Sequence, residues 1–189
     1  IENLRRWHRN AALRAKSAGF DIVYVYGAHG LGAPQHFLSR RFNHRTDEYG
    51  GSLKNRARLL VELIEDTKDA VGDTCAVACR IGVDELIGEE GIHREEMLEL
   101  FSEISELPDL WDLTLCSWDI DSSTSRFSEE GHQEQFVTGF KQLTTKPVVG
   151  VGRFTSPDAM VSLIRRGVLD LIGAARPSIA DPFLPKKIA

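Results

Sequence analysis

Apolar positions in this chain follow two rhythms. Five runs are almost continuously apolar and rich in β-branched residues: FDIVYVYG (20–27), CAVACRIGV (75–83), LWDLTLC (110–116), KPVVGVGR (146–153) and LDLIGAAR (169–176). A half-exposed antiparallel strand alternates apolar with polar, so unbroken runs predict parallel strands covered on both faces. Between them the period lengthens to that of amphipathic helices. LRRWHRNAALRAKSAG predicts a helix stopped by Gly19. GGSLKNRARLLVELIEDTKDAVG predicts a second, with Ser52 as N-cap, Leu59, Leu60, Leu63 and Ile64 as its apolar stripe, and Gly72 beyond its end. REEMLELFSEI and EQFVTGFKQL predict a third and a fourth. TSPDAMVSLIRRG predicts a fifth, with Ser156 at the N-cap, Pro157 at the first helical position, Asp158 in the first turn and Gly167 past the end.

Strand and helix therefore alternate, which means an α/β fold: an eightfold barrel or an open doubly wound sheet. GVGR (150–153) and GAAR (173–176) favour the barrel, because each puts small residues and an arginine at the C-terminal end of one of the last two strands. Barrels commonly bind phosphate there, with backbone N–H groups approaching the anion past small residues and arginine adding charge-assisted hydrogen bonds. GAHGLG (27–32), after the first strand, does not match the G-x-G-x-x-G of a dinucleotide-binding sheet. A closed barrel takes roughly 250 residues and eight units. Five units in 189 residues predict a partial (β/α)8 TIM barrel, a segment of a longer protein with no second domain inside residues 1–189.

Composition narrows the setting more than the chemistry. A net charge of −5 with 27% charged residues gives no basic patch for nucleic acid or an anionic membrane. No apolar stretch approaches the ~20 residues of a membrane span, and IENLRRWHRN lacks the apolar core of a signal peptide, so a cytoplasmic location is expected. Cys75, Cys79 and Cys116 form no Cys-x-x-Cys and lie in apolar runs, which predicts buried free thiols and no metal site.

At the tip of the first strand stand Tyr26 and His29. Residues three apart on a regular strand face opposite ways, so these two can meet only if the strand ends between them, a turn Gly27 permits. Trp118 and Asp121 occupy the Ser-rich stretch CSWDIDSSTSRF, where composition alone reads as packing and turn. Arg80, inside the second strand, could pair with Asp84 or another nearby carboxylate. His8, His36, His44, His93 and His132 lie in charged or polar segments and are assigned no chemistry.

From Gly19 to Pro185 the chain resembles the old yellow enzyme superfamily of FMN-dependent NADH:flavin oxidoreductases. The resemblance rests on AGFDIVYVYGAH, the Asn43–Arg58 pattern N-x-R-T-D-E-Y-G-G-S-x-x-N-R-A-R, CRIGVDE, PVVGVGR and LIGAARPSIADPFLPKK. It is most similar to the trimethylamine dehydrogenase-like branch. The resemblance implies that the five units are strands four to eight of an FMN-binding barrel. It implies earlier strands carrying a flavin-linked cysteine, and a 4Fe-4S cluster whose ligands lie downstream, both outside these residues.

Carried over residue by residue, the resemblance puts Arg80 beside the flavin pyrimidine ring and gives Gly152, Arg153, Ala175 and Arg176 to the phosphate. It also makes the tyrosine informative. Ene reductases of the superfamily grip a substrate carbonyl with a histidine and a second histidine or asparagine, whereas Tyr-x-x-His is the amine dehydrogenase version. Its third member is an aspartate, which anchoring on Ser125, Arg126 and Phe127 assigns to Asp121; the loop is shorter than the family pattern, and Asp119 is the alternative. Trp118 takes the place of a tryptophan lining the substrate bowl.

The implied activity is oxidation of an N-methylated amine, with hydride passing to FMN and electrons leaving through the iron-sulfur centre to an acceptor such as an electron-transfer flavoprotein. An NAD(P)H-dependent reductase of activated alkenes, such as a dienoyl-CoA or enoate reductase, is the alternative enzyme. A further alternative is a catalytically silent barrel segment that assembles with a partner or with a second copy of itself, since open barrel edges invite pairing.

Overall fold

The computed structural model describes residues 1–119 and 128–188. In chain order the elements are α1 (Glu2–Ser17), β1 (Ile22–Gly27), α2 (Ala33–Leu38), α3 (Leu53–Val71), β2 (Ala76–Gly82), α4 (Arg94–Ile104) and β3 (Leu110–Thr114). They continue with α5 (Glu134–Val137), β4 (Val148–Gly150), α6 (Pro157–Arg165), β5 (Leu171–Ile172), α7 (Ala175–Ala180) and α8 (Leu184–Ile188). The strands pair in parallel in the spatial order β1-β2-β3-β4-β5. A doubly wound sheet reverses direction at a switch point. This one does not, so the winding is that of a barrel wall.

The caps explain why the helices start where the pattern predicts. Ser52 Oγ accepts the Asn55 N–H at 3.3 Å, and Ser156 Oγ accepts the Ala159 N–H at 3.1 Å. The predicted fourth helix is the exception. It breaks into α5 and a single 3-10 turn at Lys141–Leu143, because Gly139 turns the chain between them at φ +103°.

Helices cover one face of the sheet. Val25, Val77, Cys79, Ile81, Trp111 and Leu113 are buried there against Leu59, Leu60, Leu63 and Ile64 of α3 and Phe101 of α4. Trp111 anchors this layer, its ring 4.7 Å from that of Phe101 and its Nε1–H donating to Ser105 O at 2.7 Å. The second face meets the expectation of cover in the central strands, where Ala78, Asp112 and Thr114 are buried, and departs from it in the edge strands. Ile22 and Tyr24 on β1 and Leu171 on β5 alternate with the buried set and are 44%, 45% and 47% exposed on the concave side. The three cysteines are buried and free, as the apolar runs predicted. No helix among the described residues is long and apolar enough to cross a membrane.

The Asn43–Arg58 stretch is a brace. Asn43 Nδ2 donates to Phe37 O and Tyr49 O at 2.6 and 2.7 Å, and Arg45 forks onto Asp47. Arg56 is buried and donates to Leu38 O at 2.8 Å, Gly51 O at 2.6 Å and Glu96 Oε1 at 2.5 Å, and Arg40 shares that carboxylate at 2.6 Å. This network ties the long β1–α3 connection to α3 and α4, and thereby fixes the C-terminal ends of β1 and β2.

Candidate active site

Parallel pairing aligns one row of side chains across the sheet: Tyr26, Arg80, Asp112, Val149 and Leu171 are register partners from β1 to β5. Above this row, at the C-terminal ends of the strands, lies a cavity of about 500 Å3. His29, Arg80, Asp112 and Trp118 line one side, and Gly152, Arg153, Ala175 and Arg176 the other. Val151, Phe154, Ala174, Pro177 and Ile179 give it apolar walls. Of the residues singled out in the sequence, His29, Arg80, Trp118, Gly152, Arg153, Ala175 and Arg176 therefore share one concave site.

Tyr26 and His29 do meet: Tyr26 Oη lies 2.6 Å from His29 Nδ1. β1 ends at Gly27, between them, where a Cβ would stand a tight 3.3 Å from Pro34 Cβ. His29 itself takes positive φ, 59°. Non-glycine residues rarely adopt that backbone, so His29 is held there by its surroundings. Its imidazole is buried, and the Trp118 ring meets it edge-on at 5.3 Å. Trp118 itself is 57% exposed, an aromatic surface open to the cavity. Asp121 lies outside the described residues, as do the anchoring Ser125, Arg126 and Phe127; Asp119, its alternative, is exposed.

Arg80 does not pair with Asp84. The Asp84 carboxylate is taken up by backbone, accepting from Leu86 N at 2.6 Å and Arg94 N at 3.1 Å. The carboxylate beside Arg80 is Asp112, whose Oδ1 is 3.6 Å from Arg80 Nε. That separation exceeds a hydrogen bond, and the buried Arg80 Nε has no acceptor in range among the described residues. Asp112 was missed in the sequence, although a lone carboxylate inside the apolar run LWDLTLC is itself a signal, since an isolated buried charge is costly. Its field is felt nearby. Burial pushes up the Tyr24 hydroxyl and the Cys79 thiol, and in both cases Asp112 adds to the shift. Burial also pushes the Cys116 thiol well up, with Glu85 and Asp84 contributing, which disfavours the thiolate in both cysteines.

At the opposite wall Arg153 takes positive φ, 57°, the third non-glycine residue in the described chain to do so after His29 and Leu86. Gly152 is open: an added Cβ would make only ordinary contacts of 3.5 Å or more, so crowding within the chain does not explain its glycine. His132, which lies in a polar segment of the sequence, has both ring nitrogens enclosed.

The profile of the NADH:flavin oxidoreductase / NADH oxidase family matches residues 1–189. The chain belongs to this family. Dimethylamine dehydrogenase of Hyphomicrobium sp. (strain x) is 45% identical over 192 residues, which cover all of this chain and 26% of that protein. The structure of histamine dehydrogenase from Rhizobium sp. 4-9 superposes with a TM-score of 0.94 at 61% identity, over all of this chain and 27% of that one. The structure of 6-hydroxypseudooxynicotine amine oxidase from Pseudomonas geniculata N1 follows at 0.92 and 59%, over 28% of its length. This member of the NADH:flavin oxidoreductase family thus spans about a quarter of the length of these relatives, and its five units are part of a TIM barrel.

The cavity suits FMN on its own chemistry. A flavin mononucleotide has an apolar ring system, a pyrimidine end that gains negative charge on reduction, and a phosphate. Apolar walls lie between a cation with an unused buried Nε–H, Arg80, and two further arginines beside small residues at the ends of β4 and β5.

Proposed function

We propose that this chain is the C-terminal part of the catalytic barrel of an FMN-dependent amine dehydrogenase, comprising its strands four to eight. The observation that carries the reading is the Tyr26–His29 pair, with a 2.6 Å separation and an exposed indole beside it, at the mouth of a cavity ending in arginines. Identities of 45 to 61% to proteins named for amine substrates support it.

Each residue then has a task. The pi face of Trp118 attracts an alkylated ammonium by about 0.5 to 2 kcal/mol and brings it against His29. An amine gives up hydride from the carbon beside nitrogen only when its lone pair is free, so the bound ammonium must lose a proton. The Tyr26–His29 pair is placed to take it, with a proton shared between Oη and Nδ1, and Asp121 is the carboxylate assigned to compensate the resulting charge. When bound, FMN supplies the two-electron acceptor for that hydride. Arg80 holds the pyrimidine end, and Gly152, Arg153, Ala175 and Arg176 hold the phosphate. With an N-methylated substrate the iminium product takes up water and separates into the demethylated amine and formaldehyde. A 4Fe-4S centre and an electron-transfer flavoprotein are the assigned onward carriers.

Stopped-flow flavin reduction in the full-length protein tests this against the ene reductase alternative. Dimethylamine, trimethylamine or histamine should reduce the flavin faster than NADH or NADPH; reduction by a nicotinamide and by none of the amines would overturn the reading. His29→Gln should change the pH dependence of reduction by the amine, because it removes the ring nitrogen that shares a proton with Tyr26 Oη.

A further inference from the structure

The cavity has a feature that anion binding does not account for. Among the described residues lining it, three are arginines and one, Asp112, is a carboxylate. FMN carries a negatively charged phosphate, and reduction adds charge at the pyrimidine end, so a carboxylate in this cavity works against both. Asp112 Oδ1 stands 3.6 Å from Arg80 Nε, a charge contact beyond hydrogen-bond length between neighbouring strands. The position of this carboxylate is fixed. Asp112 is the register partner of Arg80 and, at 7% exposure, nearly dry, so its charge is weakly screened. It approaches Arg80 through Nε, leaving the terminal nitrogens of the guanidinium to other partners.

From this arrangement we infer that Asp112 is a positioning and tuning residue of the flavin site: it orients Arg80 and offsets part of its charge, holding the bound flavin less easily reduced than Arg80 alone would make it. The sign follows from electrostatics. A cation beside the pyrimidine end favours the reduced flavin, and an anion beside that cation opposes the effect. The inference rests on the FMN part of the proposed function and is independent of which amine is oxidised.

The test is the two-electron potential of the flavin in the full-length protein, measured by equilibration with a reference dye in wild type, Asp112→Asn and Asp112→Glu. The Asn variant should shift the equilibrium toward reduced flavin about tenfold, which for two electrons is about 30 mV more positive. The Glu variant, which keeps the charge, should stay within about twofold of wild type. An unchanged or more negative potential in the Asn variant would overturn the inference. If the Asn variant does not retain flavin, Asp112→Ser takes its place with the same two outcomes. Loss of flavin from both neutral variants also overturns it, since a tuning residue leaves the cofactor bound. Failure of the broader reading looks different, as a wild-type protein that lacks FMN or whose flavin no amine reduces.

Discussion

Arg56 and Arg80 are both arginines in strongly patterned stretches, and they have opposite surroundings. Arg56 is 2% exposed and donates to Leu38 O, Gly51 O and Glu96. Arg80 lies on a cavity wall, with an Nε that meets no acceptor among the described residues and a carboxylate held at 3.6 Å. A satisfied guanidinium has no capacity left for a ligand, whereas an unsatisfied one in a concave site does. The difference separates the part of the chain that keeps the barrel wall in shape from the part placed to do chemistry.

Arg56→Ala should break the comparison most severely. It removes three donated hydrogen bonds and leaves Glu96, 6% exposed, with only Arg40 among the described residues. The expected loss is about 3 kcal/mol, read as a lower denaturant midpoint, because removing one partner of a buried pair strands the other. Gly50→Ala tests the same brace from the backbone side. A Cβ there would run into Arg45 O, so the loop must shift, at an expected cost of about 1 to 3 kcal/mol by the same measurement.

How much of this was legible in the sequence follows the same division. Helix starts were readable because Ser52 and Ser156 act locally, each accepting an N–H three residues on. The parallel strands were readable because their apolar runs are nearly unbroken: Ala78 and Thr114 on the second face of the central strands are buried, like Cys79 and Leu113 on the helix side. The meeting of Tyr26 and His29 was readable as a possibility, and β1 does end at Gly27 between them, whereas the left-handed backbone of His29 was not readable. Asp112 was not readable as the neighbour of Arg80. The two are 32 positions apart, and only the pairing register of β2 with β3 brings them together. Asp84, four residues from Arg80, was the wrong partner because its carboxylate caps local backbone.

Arg80→Lys sharpens the contrast from the cavity side. The charge remains, but the planar fork is lost, and a lysine cannot reproduce a guanidinium beside a flat ring edge. The expected result in the full-length protein is FMN affinity weaker by about tenfold, roughly 1.4 kcal/mol. The denaturant midpoint of the flavin-free protein should stay nearly unchanged, because this arginine makes no hydrogen bond through Nε to lose. A large drop in stability there would put Arg80 with Arg56, as a brace, and would remove the basis for separating them.

The smallest effect expected is also the most diagnostic, because stability and binding should move in opposite directions. Arg153 sits at φ 57°, where a side chain bearing a Cβ costs about 1 to 2 kcal/mol and glycine does not. Glycine gives back about 0.5 to 1 kcal/mol through the greater freedom of the unfolded chain. Arg153→Gly should therefore stabilise the flavin-free protein by roughly 0.5 kcal/mol net, while FMN affinity falls as a phosphate-binding cation is removed. Asn43, Arg45 and Arg56 of the brace should not behave this way, since each stabilises the fold through the hydrogen bonds it donates. If Arg153→Gly destabilises the protein and leaves FMN affinity intact, the left-handed arginine serves the fold, and the phosphate assignment at the end of β4 fails with it.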